Sequence, residues 1–200
     1  MYELPITIEI ESKAYHIRNK GDFRMVIDCF DALQDIELDT EYRIYAALFI
    51  FYEDFETIEE IVNVPDIKQL IEKMFWFFNC GEPEVKTNKP DYKLIDWEKD
   101  SHLISSAING VIQKEIRLEP YVHWWTFMGY YNAIGECPLS TIVSIRKKIA
   151  EQKNLEKHER EFKRDNPQYF TMDYRSTSQK ELDNSIYELW NSGDKKGGNE

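Results

Sequence analysis

Between Tyr121 and Tyr131 the chain carries six aromatic side chains and one histidine in eleven positions, inside the stretch EPYVHWWTFMGYYNAIGE. Few local structures have room for that density. On a helix, Tyr121, Trp125, Met128 and Asn132 form one row, and Trp124, Phe127, Met128 and Tyr131 form the adjacent one. Apolar surface then covers more than half of the cylinder, which predicts a helix surrounded by its own core. Pro120 suits a first-turn position, where its missing amide costs nothing. Gly129 gives a neighbouring helix room to approach, and Gly135 ends the segment. Indole and phenol tips need polar partners, so one end of this helix is expected at the surface. A platform for stacking nucleobases would need basic residues among the rings. None occurs between residues 119 and 136, so the aromatics are read as core.

The rest of the chain reads as mainly helical, with one β signal. Ile6, Ile8 and Ile10 alternate with Thr7, Glu9 and Glu11, a period of two that predicts a strand with one buried face. Ser12-Lys13 turns it, and Tyr15 and Ile17 line the return strand of a hairpin. Asp22 is the expected N-cap of a first helix with Val26, Cys29, Phe30 and Leu33 on one stripe. Thr40 caps a second, whose Tyr42, Tyr45, Leu48, Phe49 and Tyr52 are expected to face inward. A short third helix covers TIEEIV. A fourth starts at Pro65-Asp66, carries Trp76, Phe77 and Phe78, and stops at a left-handed Gly81. After a proline-containing stretch, residues 82–93, Asp100 caps a helix with Leu103, Ile104, Ala107, Ile108, Val111 and Ile112 inside. Pro138 or Ser140 opens the next. From Glu151 to Asp165 the pattern turns polar, with Glu156–Arg160 and Glu159–Lys163 four apart, which reads as a solvated helical extension.

The 200 residues suit one domain, or one with a small appendage, and can bury a core unaided by disulfide or metal. Eight glycines and seven prolines are too few for a turn-dense β sandwich. The net charge is −12, placed unevenly. Residues 1–62 hold fifteen Asp and Glu against five Lys and Arg; residues 142–164 hold eight Lys and Arg against four Glu. The overall sign opposes nucleic-acid binding. Three scattered cysteines, no basic leader and no long apolar run predict reduced thiols, no export signal and no membrane span.

No phosphate-binding glycine loop, H-E-x-x-H, C-x-x-C, EF-hand run or G-x-S-x-G is present. His123, with Glu119 four residues earlier, is the strongest candidate for acid–base or metal chemistry. The bland alternative, a histidine bonded to a carbonyl or water at a helix end, is favoured. No catalytic, cofactor or metal residues are assigned.

The block YKLIDWEKDSHLISSAINGVIQKEIRLEPYVHWWTFMGYYNAIGECPLSTIVSIR, residues 92–146, resembles the phage gene-product-fifteen family of tailed phages and prophages of Gram-positive bacteria. The matching elements are LIDWEKD, YVHWWTF and STIVSIR. DFRMVIDCFDAL after the hairpin matches less specifically, and the likeness extends over residues 1 to about 165. The resemblance implies a tail-region protein, because genes of this family lie between those for the tail tube and the tape-measure protein, the position of tail assembly chaperones. It implies a non-enzymatic protein of the host bacterial cytoplasm that binds the tape-measure protein, with the tail tube protein as a further partner. The alternative is a structural tail component retained in the virion. It brings no cofactor and no catalytic residues.

The expected architecture is a mainly α protein with an N-terminal β-hairpin, two helical lobes and a charged C-terminal helical extension. Its parts are residues 1–81, a linker at 82–93, an aromatic-rich lobe at 94–165, and a flexible tail at 166–200 with a short helix around Leu182, Ile186, Leu189 and Trp190. Arg146, Lys147, Lys148, Lys153, Lys157, Arg160, Lys163 and Arg164 are the expected partner-binding cations, for an acidic partner or for residues 1–62 of another copy. Trp76, Trp97, Trp124, Trp125, Phe127 and Tyr131 are the expected core or groove aromatics.

Overall fold

The computed structural model describes residues 3–35, 37–83 and 92–172, together with Ile186. Most of the 82–93 linker and nearly all of the tail helix lie outside the described residues; of the helix's Leu182, Ile186, Leu189 and Trp190, Ile186 alone is described, helical and buried. The chain forms two compact units. One comprises Met1–Lys86, Tyr121–Met128 and Ser178–Glu200, the other Thr87–Pro120 and Gly129–Thr177. The aromatic stretch is therefore divided, and Tyr121–Met128 groups with the N-terminal elements rather than with the lobe expected at 94–165.

The first unit opens with an antiparallel hairpin, β1 (Thr7–Ile10) and β2 (Lys13–His16), in the register Ile8 opposite Tyr15 and Ile10 opposite Lys13. The turn is one residue earlier than expected. Glu11 and Ser12 both take positive φ, 48° and 70°, as a two-residue hairpin turn requires. Ile8, Ile10, Tyr15 and Ile17 are buried, while Ile6 overhangs the core and is 47% exposed.

Helix α1 (Phe23–Gln34) starts at Asp22, whose carboxylate accepts from the Arg24 amide, so the expected cap is the real one. Helix α2 (Thr40–Phe51) packs on α1, and its cap position is Asp39, not Thr40. Its buried residues are Ile44, Tyr45, Ala47, Leu48 and Phe51. The expected inner row was wrong at Tyr42, which is exposed, and at Phe49, which is half-buried. The run is apolar on nearly every side, so periodicity leaves its phase undetermined. Arg18 closes the end of α2 by donating to the carbonyls of Phe49, Ile50 and Tyr52. The short α3 (Ile58–Val62) is capped by Thr57. Helix α4 (Ile67–Phe78) is capped by Asp66 and buries Leu70, Ile71, Met74, Phe77 and Phe78. It ends with two left-handed residues, Cys80 as well as the expected Gly81, and the Gly81 amide returns to the Trp76 carbonyl at 2.9 Å.

The second unit contains α5 (Ser101–Ile112), which packs on α7 (Pro138–Ala150), and α8 (Lys157–Asp165). Short 3₁₀ turns at Ile116–Leu118 and Pro167–Phe170 complete it. Ile104, Ile108, Ile116, Leu139, Ile142 and Ile145 are its buried apolar residues. Pro138 takes the first position of α7, as the sequence allows. The polar extension is not one continuous helix: α7 stops at Ala150, Gln152 turns left-handed at φ 56°, and α8 begins afresh at Lys157.

Helix α6 (Trp124–Asn132) contains the change from one unit to the other, between Met128 and Gly129. It starts four residues later than the Pro120 reading places it and ends before Gly135. Gly129 faces open space, so its expected role in close helix approach is not realised.

Candidate functional site

The strongest sequence candidate, His123, lies at a junction within the first unit. Asn19, Lys20 and Gly21 take three successive positive φ angles, 50°, 54° and 77°. Only glycine fits the last place, since a Cβ there would sit 2.7 Å from Phe77 Cζ and 3.1 Å from His123 Nε2. The turn delivers the buried Asp22, whose Oδ2 accepts from the Val122 amide at 2.9 Å. The Phe23 amide donates back to the Val122 carbonyl at 3.0 Å. Asp22 and His123 thus form an isolated antiparallel bridge just before α1, which holds Val122 and His123 out of the helix that follows.

This pairing places the His123 ring inside, 1% exposed. Nε2 is 3.0 Å from the Pro5 carbonyl, and Nδ1 lies 3.1 Å from the Trp125 amide. A carbonyl accepts and an amide donates, so one tautomer satisfies both: the proton on Nε2, the lone pair on Nδ1. His123 thereby ties the N-terminal arm to the first turn of α6. Burial lowers its pKa, opposed by the Pro5 carbonyl and the Asp22 carboxylate. Both nitrogens are engaged, so neither can serve as base or ligand without breaking one of these bonds. The helical face that would have brought Glu119 beside the ring is absent; Glu119 instead pairs with Lys114 at 2.9 Å.

The two tryptophans that follow finish α4. Trp124 Nε1 donates to the Phe78 carbonyl and Trp125 Nε1 to the Phe77 carbonyl, each at 2.9 Å. The last carbonyls of a helix have no partner within it, and adjacent indoles supply two. Trp124 and Phe127 are each 2% exposed; Phe127 stacks on Phe23 with centroids 4.3 Å apart. Trp125 is half-buried, edge-on to the half-buried Trp76 at 5.5 Å. In the second unit Trp97 and Tyr131 are half-buried and meet at 5.9 Å. Burial, then the Asp100 charge, raises the Tyr131 pKa.

Arg146, expected among the partner-binding cations, is instead 2% exposed at the centre of the second unit. Its guanidinium donates to both Asp100 oxygens, at 2.5 and 2.9 Å, and to the carbonyls of Leu94 and Tyr169. Asp100 was expected to cap α5 through its side chain; the carboxylate turns to Arg146 and the Asp96 amide instead. Such a pair is weak evidence for net stability, because desolvation offsets attraction, but it fixes which strands of chain meet. Among the other cations, Lys148 pairs with Glu159 at 2.6 Å, Lys153 with Glu151 and Arg164 with Asp165, both at 2.8 Å. The expected Glu159–Lys163 pair is replaced by Glu159–Lys148. Arg160 is exposed and donates to the Leu155 carbonyl. Lys147 and Lys157 are exposed and Lys163 half-exposed, with no ion pair among the described residues.

The outward surface is more informative than the interior. Leu4, Ile6, Leu38, Tyr42, Val62 and Tyr121 of the first unit are large apolar residues between 37% and 55% exposed. Leu38 and Tyr42 stand among Glu37, Asp39 and Glu41, all exposed. Among the described residues no group of three or more His, Cys, Asp or Glu is placed to hold a metal ion, and no helix is long and apolar enough to cross a membrane.

The described residues form a mainly helical chain with an N-terminal hairpin, in which His123, Asp22, Asp100 and Arg146 are buried and engaged by protein partners. The family described as Bacteriophage Gp15 protein matches residues 1–171, and the chain belongs to that family. It is a bacteriophage structural or assembly protein. No curated protein and no solved structure matches it.

Proposed function

We propose that the protein is a tail assembly chaperone: it binds the tape-measure protein in the host cytoplasm and keeps it soluble during tail morphogenesis, without catalysing a reaction. Family membership supports a role in virion assembly, and the gene order that the resemblance implies supports the tape-measure protein as the partner. The observation that carries the reading is the surface of the first unit, where exposed Leu38 and Tyr42 sit among carboxylates. A holder of a long helical chain needs apolar contact surface, and enough charge to remain soluble while offering it. The engagement of both His123 nitrogens supports a non-enzymatic role. Association between copies through residues 1–62 and the basic segment has fewer cations to draw on than the sequence counts. Lys147, Lys157 and Arg160 are exposed, and Lys163 half-exposed, without an ion pair among the described residues; the exposed Lys153 and Arg164 already pair with Glu151 and Asp165.

The test is co-expression with the tape-measure protein of the same genome, followed by pull-down and a solubility assay. A tape-measure chain that becomes soluble only beside this protein, and co-purifies with it, upholds the proposal. One that stays insoluble and unbound overturns it. Stoichiometric presence of the protein in purified particles, read by mass spectrometry, would then establish the structural-component alternative.

A further inference from the structure

The hairpin has two long edges, and they are treated differently. On β2 the outward groups of His16 are used: its amide donates to Asp54 at 2.5 Å, and its carbonyl accepts from the Glu53 amide at 2.9 Å. On β1 the alternation of an antiparallel ladder turns Ile6, Ile8 and Ile10 toward β2 and their odd-numbered neighbours outward; the Ile17 amide on the Ile6 carbonyl fixes that phase. The Pro5 carbonyl is taken by His123. Thr7 and Glu9 follow, both exposed, with no hydrogen-bond partner for their outward amides and carbonyls among the described residues. Just before them Leu4 and Ile6, 42% and 47% exposed, continue the apolar face of the strand beyond the core.

We propose that this open edge of β1, Thr7–Glu9, is a docking site for an extended segment of a partner protein, which adds as a third strand. Unpaired main-chain groups supply the affinity, and alternate side chains supply selectivity. The occupant's chemistry follows from the charges. Residues 1–12 contain Glu3, Glu9 and Glu11 and no Lys or Arg. A segment alternating apolar residues with Lys or Arg sets its apolar side chains beside Leu4 and Ile6 and its cations near those carboxylates. A second copy of this edge is disfavoured, because it would bring three carboxylates from each chain together. Strand edges are commonly protected against self-pairing by charge, and here the same charge selects a basic guest. The proposal rests on the protein-binding reading above and names the surface and the class of segment bound.

The experiment uses the full chain with overlapping synthetic peptides that tile the tape-measure protein, and amide hydrogen exchange as the readout. In the free protein the Thr7 and Glu9 amides exchange rapidly while Ile8 and Ile10 are protected; a bound peptide is expected to protect Thr7 and Glu9. Thr7→Pro removes an outward donor and leaves the β1–β2 ladder intact, so affinity falls about tenfold or more with Tm unchanged. Glu9→Lys weakens basic peptides selectively. Peptides that bind without protecting these amides, and bind Thr7→Pro equally well, overturn the edge site while leaving the chaperone reading intact. Protection that appears with rising protein concentration and no peptide identifies a second copy as the occupant and overturns the proposal. If neither peptides nor the co-expressed tape-measure protein bind, both readings fall.

Discussion

At His123 the ring cannot take a second proton without losing the Trp125 N–H that it receives at Nδ1. Burial works in the same direction, lowering the pKa below the ordinary 6.5. The unfolded chain therefore binds this proton first as pH falls. The contribution to stability is whole above about pH 6.5 and is lost as pH drops through the lowered folded value. We expect an NMR titration to find His123 as the Nε2–H tautomer with a midpoint below 6.5; a midpoint at or above that value sinks the assignment. Urea unfolding should weaken more between pH 7 and 5 in the wild type than in His123→Gln. At this scale the sequence is only partly legible. Six rings in eleven positions announce burial, and Trp124 and Phe127 are buried. Nothing in a count of charges separates Arg146 from Lys147, since its partner Asp100 lies 46 residues away.

Among the elements, α4 depends on residues far along the chain to close its end. The Phe77 carbonyl accepts from Cys80 as well as Trp125, but the Phe78 carbonyl accepts from Trp124 alone among the described residues. Trp124→Phe keeps an aromatic ring and orphans that carbonyl, at a cost of about 1 to 3 kcal/mol. Trp125→Phe should cost less, its acceptor still being paired and its site half-open to water. Urea denaturation of both variants checks the order, and the reverse order refutes the capping account. Element types are legible because the hairpin alternation and most helix caps are local signals: Asp22, Thr57, Asp66 and Pro138 stand where their helices begin. The start of α6 is not, because Val122 and His123 pair with Asp22 and Phe23, and no local pattern reports a partner a hundred residues distant. The break at Gln152 escapes notice for another reason: a left-handed glutamine leaves no glycine or proline to mark it.

For the molecule as a whole, the division into units does not follow the order of the chain. The first unit draws on residues 121–128 as well as the N-terminal elements, so the 1–81 segment that the sequence presents as a lobe lacks its Trp124 and Phe127. A fragment of residues 1–83 is expected to unfold without a sharp transition, and a peptide of residues 119–132 is expected to restore cooperativity. Circular dichroism in a urea series measures both. A fragment that unfolds sharply by itself would show that Tyr121–Met128 is dispensable. The hydrophobic pattern conveys how many helices there are, but the return of one segment to an earlier unit is a property of three-dimensional packing.

That return has a consequence for the newborn chain. A ribosome adding about 5 to 20 residues per second needs roughly 2 to 9 s to pass from residue 83 to residue 128. Throughout that interval the Phe78 carbonyl has no indole to receive, Phe23 has no Phe127 to stack on, and the groove that His123 will fill stands open. The aromatic segment thus reaches its unit only after the N-terminal elements are complete, and their shared packing waits for its arrival.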